Sequence, residues 1–166
     1  MTASDDRRRP FFADLPAQSA AAGMLITDEN GRSLLVRTVD REGLVLPGGV
    51  VEEGESPAAA AEREVLEETG LVLPVTRLLV VQHKPATDST PASLMFVFDT
   101  ERVASGVVLR LQEEEIADAL WLDPPTAIRQ HTDGGRSRLA AALRARNESH
   151  TFYMDATRIL DVQHDG

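Results

Sequence analysis

Residues 48–71 read GGVVEEGESPAAAAEREVLEETGL, and the second half of this stretch has the signals of a helix with two defined ends. Ser56 is a good N-cap, and Pro57 occupies the first helical position, where a missing N–H costs nothing. Four alanines follow, and Gly70 suits the left-handed residue that closes a helix. A helix over residues 57–69 is predicted. At roughly 100° per residue, Glu64, Glu67 and Glu68 share one face while Ala58, Ala61 and Val65 share another. Like charges three and four apart cost roughly 0.2–0.5 kcal/mol per pair, and anions in the last turn oppose the helix dipole by roughly 0.3–1 kcal/mol each. A solvated acidic face is one reading; a bound divalent cation is the other, and three features favour it. Ala60 leaves space one turn earlier on the carboxylate face. Gly48, Gly49 and Gly54 let a loop approach closely and offer a carbonyl as a hard oxygen ligand. Arg63 adjoins the face, with Glu55 placed to hold it.

Upstream, residues 22–27 and 33–38 are apolar and β-compatible, and the turn signal Asp28-Glu29-Asn30-Gly31 between them predicts a hairpin. Downstream, residues 71–82 read as one or two strands, 84–92 as a loop and 94–98 as a buried strand. Residues 106–111 and 119–122 are expected as short paired strands flanking the acidic loop Glu113-Glu114-Glu115, with Pro124-Pro125 stopping the second. A short helix is expected near Ile128 and an amphipathic one over residues 137–146. The domain organisation expected is a flexible segment at 1–19, one domain at 20–146, and a docked or frayed tail at 147–166.

With 166 residues, 42% of them hydrophobic, the chain can bury a single core. A formal net charge of −10 argues against a nucleic-acid partner, although an acidic protein can still hold phosphates through a metal ion. The absence of cysteine removes disulfides, thiolate nucleophiles and zinc–cysteine sites together. No apolar run approaches membrane-spanning length, so no membrane partner and a cytoplasmic location are expected. His83, His131, His150 and His164 lack triad or metal spacing and are expected on the surface or in loops.

The opening stretch resembles the Nudix box: Gly, five residues, Glu, seven residues, then Arg-Glu-apolar-any-Glu-Glu-any-Gly-apolar. Gly49, Glu55, Arg63, Glu64, Val65, Glu67, Glu68, Gly70 and Leu71 occupy its fixed positions. The resemblance implies an α+β fold, a Nudix-type α/β/α sandwich with a mixed central β-sheet. It also implies hydrolysis of a pyrophosphate bond in a nucleoside diphosphate linked to X, such as a nucleotide sugar or an ADP-ribose-like compound, with Mg²⁺ or Mn²⁺. Glu67 and Glu68 would be metal ligands, the Gly48 carbonyl a further ligand, and Glu64 a ligand or the base for water. Glu55 and Arg63 would form the ion pair that fixes the loop against the helix. Near the phosphates it implies a basic residue, for which Arg37, Arg41 and Lys84 are the candidates, and one more carboxylate from the acidic loop, Glu115 or Glu114. A MutT-like nucleoside triphosphate pyrophosphatase and a non-catalytic nucleotide-sugar sensor are the alternatives. A nucleobase would have to stack on Phe11, Phe12, Phe96, Phe98, Phe152 or Tyr153. A small-molecule partner is expected, and a homodimer is left open.

Overall fold

The computed structural model describes residues 18–160. The expected segment at 1–19 therefore lies almost entirely outside the described residues, as do Phe11, Phe12 and His164. Eight strands and three helices follow in order: β1 (Ser19–Leu25), β2 (Ser33–Thr38), β3 (Gly48–Val50), α1 (Pro57–Thr69), β4 (Arg77–Lys84), β5 (Ser93–Asp99), β6 (Ile116–Leu122), α2 (Pro124–Gln130), α3 (Asp133–Glu148), β7 (Phe152–Asp155) and β8 (Arg158–Leu160). Six strands form one sheet in the order β3-β1-β5-β4-β7-β8, and β2 and β6 form a second, two-stranded sheet. The larger sheet is mixed. β1 runs parallel to β5 and β4 parallel to β7, while the other neighbours are antiparallel.

Alternation along the strands sends side chains to two separate cores. Ala22, Met24 and Phe98 point to one side with Ala60, Ala61 and Val65 of α1; Leu25, Val97 and Met154 point to the other with Leu139, Ala142 and Ala145 of α3. The chain is thus an α/β/α sandwich, and the carboxylate helix lies over the β3-β1-β5 end of the sheet. The end of α3 is tied to the strands by Arg146, which donates to Asp99, to the Leu25 carbonyl at 2.6 Å and to Thr27 Oγ1 at 2.5 Å. No helix among the described residues is long and apolar enough to cross a membrane.

Several elements depart from the sequence reading. Residues 22–27 and 33–38 meet only at their tips, through the Thr27–Ser33 bridge and a 3.0 Å bond from Leu34 N–H to the Ile26 carbonyl. Both edges of β1 are already taken by β3 and β5, so β2 pairs with β6 instead. Residues 106–111 form no strand; they run as coil past the end of α1, where Arg110 N–H donates to the Thr69 carbonyl at 2.8 Å. Pro124 and Pro125 start α2 rather than merely ending β6, with the Asp123 side chain accepting from Thr126 N–H. The segment expected as a tail completes α3 and then adds β7 beside β4 and β8 beside β7. His131 is not on the surface: it is buried, because it packs against Gly135, where a Cβ would stand 2.0 Å from the imidazole.

Candidate active site

The helix signals act as written. Ser56 Oγ accepts from Ala59 N–H at 3.2 Å, and Gly70 takes the left-handed conformation at φ 73° with its N–H on the Leu66 carbonyl. Ala60 and Ala61 are buried, which presses α1 onto β1. Ala60 therefore fills the core and does not hold open a space for a ligand.

Two glycines let β3 sit close to its neighbours, Gly48 against β1 and Gly49 against α1. Gly48 has φ 146°, and a Cβ there would stand 2.3 Å from the Ala22 carbonyl oxygen. A Cβ on Gly49 would stand 2.4 Å from the Glu64 carboxylate. With neither present, Gly48 N–H reaches Glu68 Oε2 at 2.9 Å. Glu68 is only 5% exposed, and burial pushes its carboxyl up to about 8, opposed by that N–H and reinforced by the charges of Glu64, Glu115 and Glu67. Burial also raises the Glu64 carboxyl, against the pull of Arg63.

Arg63 organises the rest. Its guanidinium donates to Glu55 at 2.9 and 3.1 Å, to Glu64 at 2.9 Å, to Glu67 at 3.0 Å and to the Val50 carbonyl at 3.1 Å. Its hydrogen bonds to Glu55 are the largest reason that its own proton affinity is raised and that the Glu55 carboxyl is lowered. Glu55 Oε2 also accepts from Glu52 N–H at 3.1 Å, so residues 50–55 are clamped to the helix from both ends.

The donor set is all oxygen and partly desolvated, which suits a hard divalent cation. Among the described residues, however, no three acidic or histidine side chains already stand as a metal shell. The single Nη1 of Arg63 supplies the positive charge between Glu64 and Glu67, and Gly48 N–H occupies Glu68. Glu64, Glu67 and Glu68 lie on one helix, and Glu115 is near enough for its charge to act on Glu64 and Glu68.

The basic candidates are less gathered. Arg41, exposed and paired with Asp40 at 3.4 Å, lines a cavity that also touches Gly48 and Gly49. Arg37 lies on β2 opposite Asp118, and Lys84 is exposed at the end of β4 opposite Ser93; neither lines that cavity. Of the aromatics, Phe98 and Phe152 are core residues, Tyr153 is exposed, and Phe96 lines the cavity. Sequence reasoning missed Arg138, which lines the same cavity from α3. The available signal was its place one turn before Ala142, on a helix whose inward stripe is otherwise Gly135, Leu139, Ala142 and Ala145.

The NUDIX domain matches residues 17–143 of the chain. A MutT-like protein of Streptomyces ambofaciens is 33% identical over 128 residues, covering 77% of this chain and 79% of that protein. Two solved structures are similar in fold at lower identity. The MutT protein from Methanosarcina mazei Go1 has a TM-score of 0.68 at 22% identity, over 80% of this chain and 99% of that one. A UDP-X diphosphatase has a TM-score of 0.64 at 21% identity, over 91% of this chain and 75% of that one.

Proposed function

The chain belongs to the NUDIX family and is a hydrolase of pyrophosphate bonds, and from that premise we propose that it cleaves a nucleoside diphosphate linked to a second group, X, with Mg²⁺ or Mn²⁺. The observation that carries this reading is Glu68, a buried carboxylate held by Gly48 N–H, with Glu64, Glu67 and Glu115 close by, on the border of a cavity lined by arginine. Glu64, Glu67 and Glu68 are the residues that would hold the cation, joined by the Gly48 carbonyl and, when substrate is bound, by Glu115. Bound there, the cation neutralises the diphosphate and eases ionisation of the attacking water.

The remaining work falls to the chain itself. Gly48 N–H aims Glu68, and Arg63 with Glu55 keeps residues 50–55 against α1, so the oxygen donors are placed before substrate arrives. Glu64, whose carboxyl is raised by burial, accepts the proton of water as its oxygen attacks phosphorus and the anhydride P–O bond breaks. Arg41, which lines the cavity, would contact the phosphates. Two phosphate monoesters leave: a nucleoside monophosphate and phosphorylated X.

The test is a panel of nucleotide sugars, dinucleotides and nucleoside triphosphates incubated with Mg²⁺ and with Mn²⁺, products separated by chromatography. Two monophosphates from a diphosphate-linked compound are expected, with all activity lost in excess chelator and restored by metal. Turnover confined to triphosphates, releasing pyrophosphate, would replace this reading with the triphosphatase one; full activity in chelator would remove the metal from it.

A further inference from the structure

The cavity touching Gly48 and Gly49 has a volume of about 220 Å³. Its walls are mainly apolar, with Met95 and Val97 of β5 among them, and no carboxylate of the described residues lines it. In a chain of net charge −10, the two charged groups that line it among the described residues are both arginines, Arg41 and Arg138. Arg41 is neutralised by Asp40. Arg138 forms no ion pair among the described residues.

Arg138 is also held in one direction. Its Nη1 donates to Gln82 Oε1 at 2.6 Å, and the buried Gln82 donates in turn from Nε2 to the Ala156 carbonyl at 2.6 Å. Ala156 sits in the β7–β8 turn at φ 51° and is fixed by its own N–H on the His83 carbonyl at 3.0 Å. This chain from turn to amide to guanidinium uses one of five N–H donors and leaves the fork free for a second partner. Burial lowers the Arg138 guanidinium to about 10, so it remains charged at neutral pH. A desolvated cation with no anion beside it destabilises a fold, and a Met of similar volume would pack better against Ala142 and the cavity wall. The feature makes sense when the missing anion arrives with a ligand.

We propose that Arg138 forms a subsite for an anionic group carried by X, a carboxylate or phosphate whose oxygens meet the guanidinium fork while the body of X lies against Met95, on the α3 side of the sheet. This rests on the reading of a diphosphate-linked substrate, and it narrows that class to compounds whose X end is itself acidic. Gln82 is then a positioning residue, and the β7–β8 hairpin serves the site from a distance.

UDP-glucuronate and UDP-glucose are a suitable probe pair, since they differ only by a carboxylate in place of a hydroxymethyl group. Binding is measured by calorimetry with Mg²⁺ in a Glu64→Gln background, where turnover does not consume the ligand, and kcat/KM is measured in the otherwise unaltered enzyme. UDP-glucuronate should bind about tenfold or more tightly than UDP-glucose. Arg138→Met should erase that preference by weakening UDP-glucuronate alone, through KM rather than kcat, and should melt no lower than wild type. If Arg138→Met does not fold, Arg138→Gln, which can still donate to Gln82, must show the same levelling. No binding of either nucleotide, equal affinity for both, or a preference that survives the substitution overturns the subsite. Preferential binding without hydrolysis of either compound keeps the subsite and removes the hydrolytic reading; hydrolysis of both at equal kcat/KM and equal affinity does the reverse.

Discussion

Glu68 meets two opposed demands: its carboxylate is taken from water by the packing of α1 on β1 and β3, yet it lies among Glu64, Glu67 and Glu115. A glutamine at each α1 position keeps the size and removes the charge, and at 68 its carbonyl can still accept from Gly48 N–H. We expect Glu64→Gln, Glu67→Gln and Glu68→Gln each to lower kcat, by on the order of 10²–10⁴ where a general base is lost. In excess chelator and above about pH 8, where the Glu68 carboxyl ionises, Glu68→Gln should melt at or above the wild-type midpoint, because a repelling charge has gone from a helix end. A midpoint several degrees lower would make Glu68 a structural group. At this scale the sequence was a good guide to which glutamates share a face of α1 and a poor guide to their surroundings. Arg63 was legible as a neighbour of the acidic face, but its single nitrogen shared by Glu64 and Glu67 depends on rotamers that no spacing rule contains.

Between elements, the acidic turn before β6 brings one further carboxylate, Glu115, towards those of α1. It is held by backbone bonds from Val39 N–H to the Glu115 carbonyl and from Glu115 N–H to the Gln112 carbonyl, both 2.9 Å. Those bonds set Glu115 where its charge reaches Glu64 and Glu68. In the proposed mechanism the exposed Glu115 would join the cation only when substrate draws the turn inward, so its loss should slow turnover more than it weakens resting metal affinity. Glu115→Gln should therefore reduce kcat at saturating Mg²⁺ clearly more than Glu113→Gln, with both proteins melting like wild type. Equal and negligible losses would assign the whole triplet to solvated surface. Three consecutive glutamates look alike in sequence; the β2–β6 pairing that separates them joins residues some eighty positions apart.

For the molecule as a whole, His131 links α2 to α3 inside the second core, and its burial, helped by the charges of Arg138 and Arg136, lowers the imidazole to about 4 from its ordinary 6.5. The folded protein holds this ring neutral, while the unfolded chain takes up a proton as pH falls below about 6.5. Stability from His131 is therefore complete above pH 6.5 and is lost as pH falls towards 4. Relative to His131→Gln, the wild-type unfolding free energy from urea titration should drop by about 3 kcal/mol between pH 7 and pH 4. A constant difference across that range would mean that the ring is solvated. The contrast between His131 and α1 shows where sequence stops. The helix, its two caps, the glycines before it and the placement of three glutamates on one face were determined by the sequence itself, since each depends on residues within a few turns of one another. Strand partners, the burial of His131 and the aim of Arg138 were decided only in the tertiary structure. β1 leaves its nearest neighbour for β5, and Arg138 takes its direction from Gln82, 56 positions away, because edge pairing and cavity walls are settled by which distant surfaces meet.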